Sequence, residues 1–215
     1  IGSHRVKWVE LQNSGKLTLT AFSMVPIKKE RGEEGIVAAV REAAARSGAT
    51  SRTVRTALSG QSVIARYILV PKMSREELLS HVEVESDKYI PFNLKDVVLD
   101  CHILAEKEGG KMQALVVAAK KETIHHRLAL LKAAGLEPEL LDVDTFAIVN
   151  AFERVLEEKS PSQTHALVDI GARATNVSIL LRTVSLFSRD IPIGGNDFTL
   201  ATSEKMGLEI DRAEV

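Results

Sequence analysis

Apolar and polar residues alternate over the first 27 positions in the way that paired β-strands require. The segments RVKWVEL (5–11) and KLTLTAFSMVPI (16–27) each have a period of two, which places successive side chains on opposite faces of a strand. The polar stretch QNSGK separates them and predicts a hairpin turn. Helical spacing follows over 32–48 and ends at Gly48, a residue type common just after the last turn of a helix.

The middle of the chain alternates between strand and helix patterns. Residues 53–71 predict two strands. A helix begins after Ser74, which forms a capping box with Glu77 three positions later, and Pro91 ends it. Two strands joined by the turn EGGK, a helix and a further strand continue the alternation. We therefore predict a small α/β module over about 73–144.

Two stretches of the chain share a strand–glycine–strand pattern. In ALVDIGARATNV (166–177) an apolar strand runs into Asp169 and Gly171 before a second strand begins. The first eleven residues, IGSHRVKWVEL, repeat the pattern of IGARATNVSIL (170–180), which pairs Gly2 with Gly171. The repeat predicts two related halves, each with one such hairpin.

A hairpin of this kind predicts a binding site for phosphate. Glycine lets the backbone turn sharply and approach a ligand closely, and successive N–H groups in the turn point toward an anion. Asp169 would hold the waters of a Mg²⁺ ion, Thr175 would donate a hydroxyl to a phosphate oxygen, and Lys7 would neutralise charge. Each motif alone also fits an ordinary turn, the tripeptide GSH is also what tag removal leaves, and Lys7 also fits a solvent-facing strand position.

Composition and motifs exclude several other classes of protein. A strand follows the glycine turn where a Rossmann dinucleotide site needs a helix, and no Walker motif G-x-x-x-x-G-K-[ST] occurs. The 28 basic and 29 acidic residues give a net charge of −1, so the chain has no overall field for nucleic acid. The sequence has a single cysteine, Cys101, and no apolar run near the roughly 18 residues of a membrane span. It also has no secretory signal pattern, so a cytoplasmic chain is predicted.

Further motifs carry a resemblance to a known family. The motifs are YIPF (89–92), VLD (98–100), LVVAAKK (115–121), AAGLEPELLDVD (133–144) and RDIPIGG (189–195). Together with the two hairpins, they make the sequence resemble the actin-like ATPase superfamily and, more narrowly, the PilM family of type IV pilus assembly. The resemblance implies an α/β fold, an actin-like (ribonuclease H-like) core with an inserted small module. It assigns 1–72 with 145–160 to the first core subdomain, 73–144 to the module and 163–215 to the start of an incomplete second half.

The resemblance also implies a nucleotide site built from both glycine turns. ATP with Mg²⁺ would lie between two phosphate loops, and no catalytic residue is assigned. The family has an aspartate immediately before the first IG, and this sequence begins at Ile1, after that position. Asp169 is the implied metal contact, and Arg173 is bulkier than the small residue often found in actins. Gly194-Gly195 would either approach the nucleotide or begin a helix. The implied cofactor-binding residues are Gly2, Ser3, His4, Lys7, Asp169, Gly171, Ala172, Arg173, Thr175, Gly194 and Gly195.

A PilM-like protein is expected to be a cytoplasmic nucleotide-binding component of pilus assembly, with weak ATPase activity at most. It would dock the cytoplasmic N-terminal peptide of a PilN-like inner-membrane protein near Tyr89 to Leu94, so its contact with the membrane would be indirect. No nucleic-acid partner is implied, and self-association is left open. The YIPF motif equally fits a helix stop whose apolar residues pack the core.

Three other functions remain open from the sequence. The first is a nucleotide-free scaffold similar to the actin-like cytoplasmic domain of type II secretion systems. Two observations favour it: Arg173 is bulky, and the aspartate that the family has before the first IG is not part of this sequence. An FtsA-like division protein is a variant of the same fold. A sugar-kinase-like enzyme would need a carboxylate base, for which Asp142 and Asp144 are the candidates near the hinge, although both also fit acids at a strand end.

Overall fold

The predicted order of strands and helices is present in a computed structural model, which describes residues 1–59, 63–154, 163–181 and 184–214. The strands are β1 (Arg5–Asn13), β2 (Leu17–Pro26), β3 (Thr53–Leu58), β4 (Val63–Pro71), β5 (Val97–Lys107), β6 (Lys111–Lys120), β7 (Glu137–Val143), β8 (Thr164–Ile170), β9 (Thr175–Leu181) and β10 (Val184–Ile191). The helices are α1 (Gly32–Ser47), α2 (Arg75–Val84), α3 (Ser86–Tyr89), α4 (Lys121–Ala133), α5 (Asp144–Glu153), α6 (Gly195–Met206) and α7 (Ile210–Ala213). The last part of the predicted helix 145–159 and most of the predicted linker at 160–164 lie outside the described residues.

Residues 58–129 form one of two compact units. Its sheet has the strand order β4-β6-β5, with both pairs antiparallel. The boundaries differ from the predicted 73–144 because β4 pairs with β6 along its whole length, whereas β7 pairs with β3. Pairing between strands that are far apart in the sequence thus places both boundaries nearer the N-terminus than the order of patterns indicated.

One cluster of buried apolar side chains holds this unit together. Leu78 and Val82 of α2 lie in the same cluster as Met112 of β6. Ile90 of the YIPF motif belongs to it with only 4% of its surface exposed, and the half-buried Tyr89 and Phe92 pack against it. The motif therefore has the core-packing role that was one of its two interpretations.

The predicted capping box at the start of α2 is confirmed. The Ser74 hydroxyl accepts from the backbone N–H of Glu77 at 3.2 Å, and the Glu77 carboxylate accepts from the N–H of Ser74 at 2.8 Å. Because the first N–H groups of a helix have no partner within it, these two bonds fix where α2 begins. The helical stretch ends at Tyr89, shortly before Pro91, as predicted.

The other unit contains residues 1–57 and 130–215. The hairpin of β1 and β2 packs one face on α1, in a core of Val6, Val25, Ala39, Val40, Ala43, Leu131 and Leu136. Strands β3 and β7 form a second sheet, and β8, β9 and β10 form an antiparallel sheet of order β10-β9-β8. One glycine turn precedes β1 and the other joins β8 to β9. The division of these segments into a first and a second actin-like half stays a prediction.

None of the helices within the described parts of the chain is both long enough and apolar enough to cross a membrane.

Leu78→Ala is expected to lower the free energy of unfolding by about 2–5 kcal/mol, because Leu78 has 0% of its surface exposed and its loss leaves a cavity in the 58–129 core. Leu69→Ala removes the same atoms from a side chain that is 57% exposed in the same unit, and we expect a loss below about 1 kcal/mol. Urea unfolding of both variants measures the difference. Equal losses would contradict the placement of the core.

Candidate functional site

The two glycine turns are closed by the same type of backbone hydrogen bond. The N–H of Gly2 donates to the carbonyl of Arg5 at 3.0 Å, and the N–H of Gly171 donates to the carbonyl of Ala174 at 2.9 Å, so the bond spans three residues in each case. A Cβ on Gly2 or on Gly171 would lie 3.1 Å or 2.9 Å from the same carbonyl oxygen. The repeat seen in the sequence is therefore also a repeat in backbone structure, and each turn closes tightly because its first residue is glycine.

The first residues of helix α6 bind the second turn through two backbone hydrogen bonds. The N–H groups of Gly195 and Asn196 donate to the carbonyls of Gly171 and Ala172 at 2.8 Å and 2.9 Å. Within the described parts of the chain, no backbone carbonyl accepts from the N–H groups of Ala172 and Arg173. Two carbonyls of the turn are thus bound to the helix, and the N–H groups of Ala172 and Arg173 are available to an anionic ligand.

Gly194 lets helix and turn come into direct backbone contact. A Cβ at this position would lie 2.6 Å from the carbonyl oxygen of Gly171 and 2.7 Å from backbone atoms of both Ala172 and Ala174. Gly194 is also the N-cap of α6, and its N–H donates to the Asp197 carboxylate at 2.8 Å. Of the two interpretations of the glycine pair, the helix start is confirmed, and the close approach that needs a glycine is to the turn itself.

Thr175 has a different role from the predicted one. Its hydroxyl donates to the backbone carbonyl of Ile193 at 2.7 Å. A hydroxyl has one hydrogen, so in this arrangement it is not available to a phosphate oxygen. The side chain instead ties the start of β9 to the segment that leads into α6.

Three carboxylates surround the start of β9. Asp169 lies opposite Asn176 in the β8–β9 pair, and the Asn176 amide nitrogen donates to the Asp190 carboxylate at 2.8 Å. Burial raises the pKa of the Asp144 carboxyl above its ordinary value, and the charges of Asp190 and Asp169 raise it further, against hydrogen bonds from Thr145 that lower it. The site therefore concentrates negative charge where a cation would be stabilised.

Sequence reasoning missed Asn176 and Asp190. The signal was weak, since Asn176 is one polar residue at the start of an apolar strand and Asp190 is an acid near the end of another. For Asp144 the sequence indicates either a catalytic base or an acid at a strand end. Asp142, its companion in that role, accepts from the N–H of its own neighbour Val143 at 2.7 Å, as an acid at a strand end does.

The first turn is held through His4. The backbone carbonyl of His4 accepts from the N–H of Ile27 at 2.8 Å. The imidazole Nε2 of His4 lies 3.3 Å from the Glu214 carboxylate. Ser3 is exposed. Lys7 is exposed on the face of β1 opposite the buried Val6, which agrees with its interpretation as a solvent-facing strand residue.

The described residues contain no group of three or more His, Cys, Asp or Glu side chains arranged to hold a metal ion. A Mg²⁺ ion at Asp169 would therefore take most of its oxygen ligands from phosphate and water, as this ion commonly does. The tight glycine turns and the remaining N–H groups of Ala172 and Arg173 are compatible with such a phosphate group.

Comparison with known proteins identifies relatives over the whole chain. A family model described as type IV pilus assembly protein PilM matches residues 1–215. A chain of the solved PilM-PilN type IV pilus biogenesis complex is 32% identical, with a TM-score of 0.89 and a match that covers 100% of this chain and 66% of that one. This chain thus spans slightly less than two thirds of that relative.

Two more distant structures share the fold alone. The ethanolamine utilization protein EutJ from Carboxydothermus hydrogenoformans is 15% identical with a TM-score of 0.54, and the match covers 99% of this chain and 57% of that one. The cytoplasmic domain of EpsL, an inner-membrane component of the Vibrio cholerae type II secretion system, is 14% identical with a TM-score of 0.55. The match covers 96% of this chain and 74% of that one. The predicted α/β, actin-like fold is confirmed.

Gly194→Ala is expected to lower the free energy of unfolding by about 2–3 kcal/mol, because its new methyl group would meet three backbone atoms at 2.6–2.7 Å that belong to the second turn. The matched control is Gly195→Ala, whose Cβ would lie 3.7 Å from the nearest backbone atom, an ordinary contact. We expect the control to change stability by less than about 1 kcal/mol, in the stabilising direction. Thermal unfolding compares them, and a harmless Gly194→Ala would contradict the packing of α6 on the turn.

Asp144→Asn is expected to stabilise the fold near neutral pH. The folded-state pKa of Asp144 is raised, so its charged form is penalised above that pKa, and the penalty disappears as the pH falls toward the ordinary value of 3.8. The stability difference between variant and wild type should therefore be largest near pH 7 and shrink on acidification. Urea unfolding at several pH values tests this, and a difference that does not depend on pH would refute the raised pKa.

Proposed function

Because the chain belongs to the PilM family of type IV pilus assembly proteins, we propose that it is an ATP-binding, actin-like component of the pilus assembly apparatus. The observation that carries the nucleotide part is the pair of glycine turns with the same three-residue hydrogen bond. Two such turns in one fold are suited to hold one polyphosphate from two sides. Since the chain spans 66% of its PilM relative, the activity of the whole protein is part of the proposal.

In this proposal the second turn supplies most of the phosphate contacts. The N–H groups of Ala172 and Arg173 donate to phosphate oxygens, and the exposed Arg173 side chain adds positive charge. Asp169 repels phosphate and therefore acts through Mg²⁺, which neutralises phosphate charge when bound. Thr175 holds β9 against Ile193 and acts on the ligand only by fixing the turn.

At the first turn, Ser3 and His4 provide the matching backbone donors, and Gly2 closes the turn with its N–H bound to the Arg5 carbonyl. Lys7 supplies charge from the exposed face of β1. Gly194 and Gly195 contribute by seating α6 against the second turn. We propose ATPase activity that is weak at most, as the resemblance to the PilM family implies.

The proposed partner is the cytoplasmic N-terminal peptide of a PilN-like inner-membrane protein. The support is the 32% identical relative, which was solved as a PilM-PilN complex. Docking to such a peptide would place the chain in the cytoplasm and at the inner membrane through its partner. The side chains of Tyr89, Ile90 and Phe92 pack the core of the 58–129 unit. They are therefore not assigned to the docking surface for the peptide.

A nucleotide-free scaffold is the second candidate. The observation that favours it is the Thr175 hydroxyl, which is bound to Ile193 at 2.7 Å where the predicted phosphate donor was expected. In this case the two turns would be retained for their packing with α6, and the partner peptide would bind without nucleotide.

Calorimetric titration with Mg-ATP of the complete natural polypeptide that carries these residues separates the two candidates. We expect binding, and at least a tenfold loss of affinity in Asp169→Ala, because the contact to the metal is removed. Asp87→Ala changes an exposed aspartate on α3 and is expected to leave the affinity unchanged.

A parallel titration with the synthetic N-terminal peptide of the PilN-like protein tests docking. Peptide binding without any Mg-ATP binding would refute the nucleotide part and favour the scaffold. Absence of both would refute the proposal as a whole.

A further inference from the structure

Asn176 joins three segments of the chain at the exit of the second turn. It is the second residue of β9, and its amide nitrogen donates to the Thr145 hydroxyl at 2.9 Å and to the Asp190 carboxylate at 2.8 Å. Thr145 lies in the first turn of α5, 31 positions earlier in the chain, and Asp190 lies on β10. One side chain thus connects the strand after the turn to a helix and to a neighbouring strand.

The orientation of the amide follows from its partners. An amide nitrogen has two hydrogens, and the two acceptors use both. The amide oxygen lies 3.2 Å from the Ser178 hydroxyl, which donates to it. If the amide were rotated, its oxygen would face the negative carboxylate of Asp190, so electrostatics alone selects the observed orientation.

The two hydroxyl groups that contact Asn176 are buried, whereas Asn176 is half-buried and Asp190 is exposed. Thr145 is 7% exposed and Ser178 is 2% exposed, and together with Ser23 they are the buried polar residues of the described chain. A buried hydroxyl without a partner costs free energy, so these residues hold Asn176 in one position. The Thr145 hydroxyl in turn lies 3.4 Å from the Asp144 carboxylate, to which it donates. The network therefore reaches from the second turn to the acidic start of α5.

We propose that Asn176 is a positioning residue that mechanically couples the second glycine turn to helix α5, so that a change at the turn is transmitted to the helix through the Asn176–Thr145 hydrogen bond. The turn ends directly before Thr175. The hydrogen bond from the Thr175 hydroxyl to the Ile193 carbonyl restricts the movement of Asn176 relative to the turn. The ligand-dependent part of this inference rests on the proposed nucleotide site, whereas the link itself does not.

The link is tested without ligand by hydrogen exchange of the α5 amides. Asn176→Ala and Thr145→Val each remove the same hydrogen bond, so each should raise α5 exchange by roughly fivefold, the usual effect of one lost hydrogen bond. The double variant should show little further increase, because the bond is already lost.

Thr199→Val is the matched control, since the Thr199 hydroxyl donates at 3.1 Å to Gly195 within α6 and does not reach α5. Its α5 exchange should equal that of the wild type. Unchanged exchange in Asn176→Ala, or fully additive effects in the double variant, would overturn the link. If Asn176→Ala does not fold, Thr145→Val alone decides, because it leaves Asn176 and its bond to Asp190 intact.

The transmission is tested by adding Mg-ATP to the complete natural polypeptide. We expect α5 exchange to slow in the wild type and in Thr199→Val, and to slow at least threefold less in Asn176→Ala and Thr145→Val at equal ligand saturation. Equal slowing in all four proteins would overturn the coupling. If the wild type binds no Mg-ATP, the proposed nucleotide function and the transmission both fail, and the ligand-free exchange still decides the link.

Discussion

At residue 194, the carbonyl oxygen of Gly171 lies 2.6 Å from the point where a Cβ would stand, so the second turn and helix α6 can pack in this way only around a glycine. Two further features depend on that contact. Helix α6 donates to the carbonyls of Gly171 and Ala172, and the Gly171 N–H closes the turn on Ala174. With the carbonyls of Gly171 and Ala172 and the N–H of Gly171 already paired, the turn presents its remaining N–H groups as a fixed set.

Three carboxylates lie near the turn. Burial raises the pKa of Asp144, and the charges of Asp190 and Asp169 raise it further. The charged form of Asp144 is therefore destabilised unless donors compensate it. Asn176 supplies one directly to Asp190 and supports Asp144 through Thr145. The N–H groups of the turn therefore lie close in the chain to a group of carboxylates, and this arrangement is the basis of the proposed magnesium-bound polyphosphate.

Local patterns were sufficient to predict most elements. The period-two alternation gave the β1–β2 hairpin, the Ser74–Glu77 capping box gave the start of α2, and Pro91 gave the end of the helical stretch. The boundaries of the 58–129 unit were not predictable in this way. They depend on β4 pairing with β6, across about 50 positions, and on β7 pairing with β3, and no local pattern encodes either partner.

The candidate site shows the same limit. The glycines of both turns were found because a repeated motif marks them, and the resemblance to PilM extended the set to Gly194 and Gly195. The role of Thr175 was not predictable, since its acceptor Ile193 lies 18 positions away and competes with any ligand for one hydrogen. Asn176 has no motif of its own, and its importance becomes visible only when Thr145 and Asp190 are brought beside it.

In the proposed function, the two glycine turns bind one anionic ligand together. The most direct measurement is a Mg-ATP titration of the complete natural polypeptide labelled with ¹⁵N-glycine, followed by the amide chemical shifts. The account predicts that Gly2 and Gly171 shift together with one dissociation constant, while Gly109 and Gly110, in the turn between β5 and β6, do not move. Shifts at one turn alone, or at neither, would contradict it.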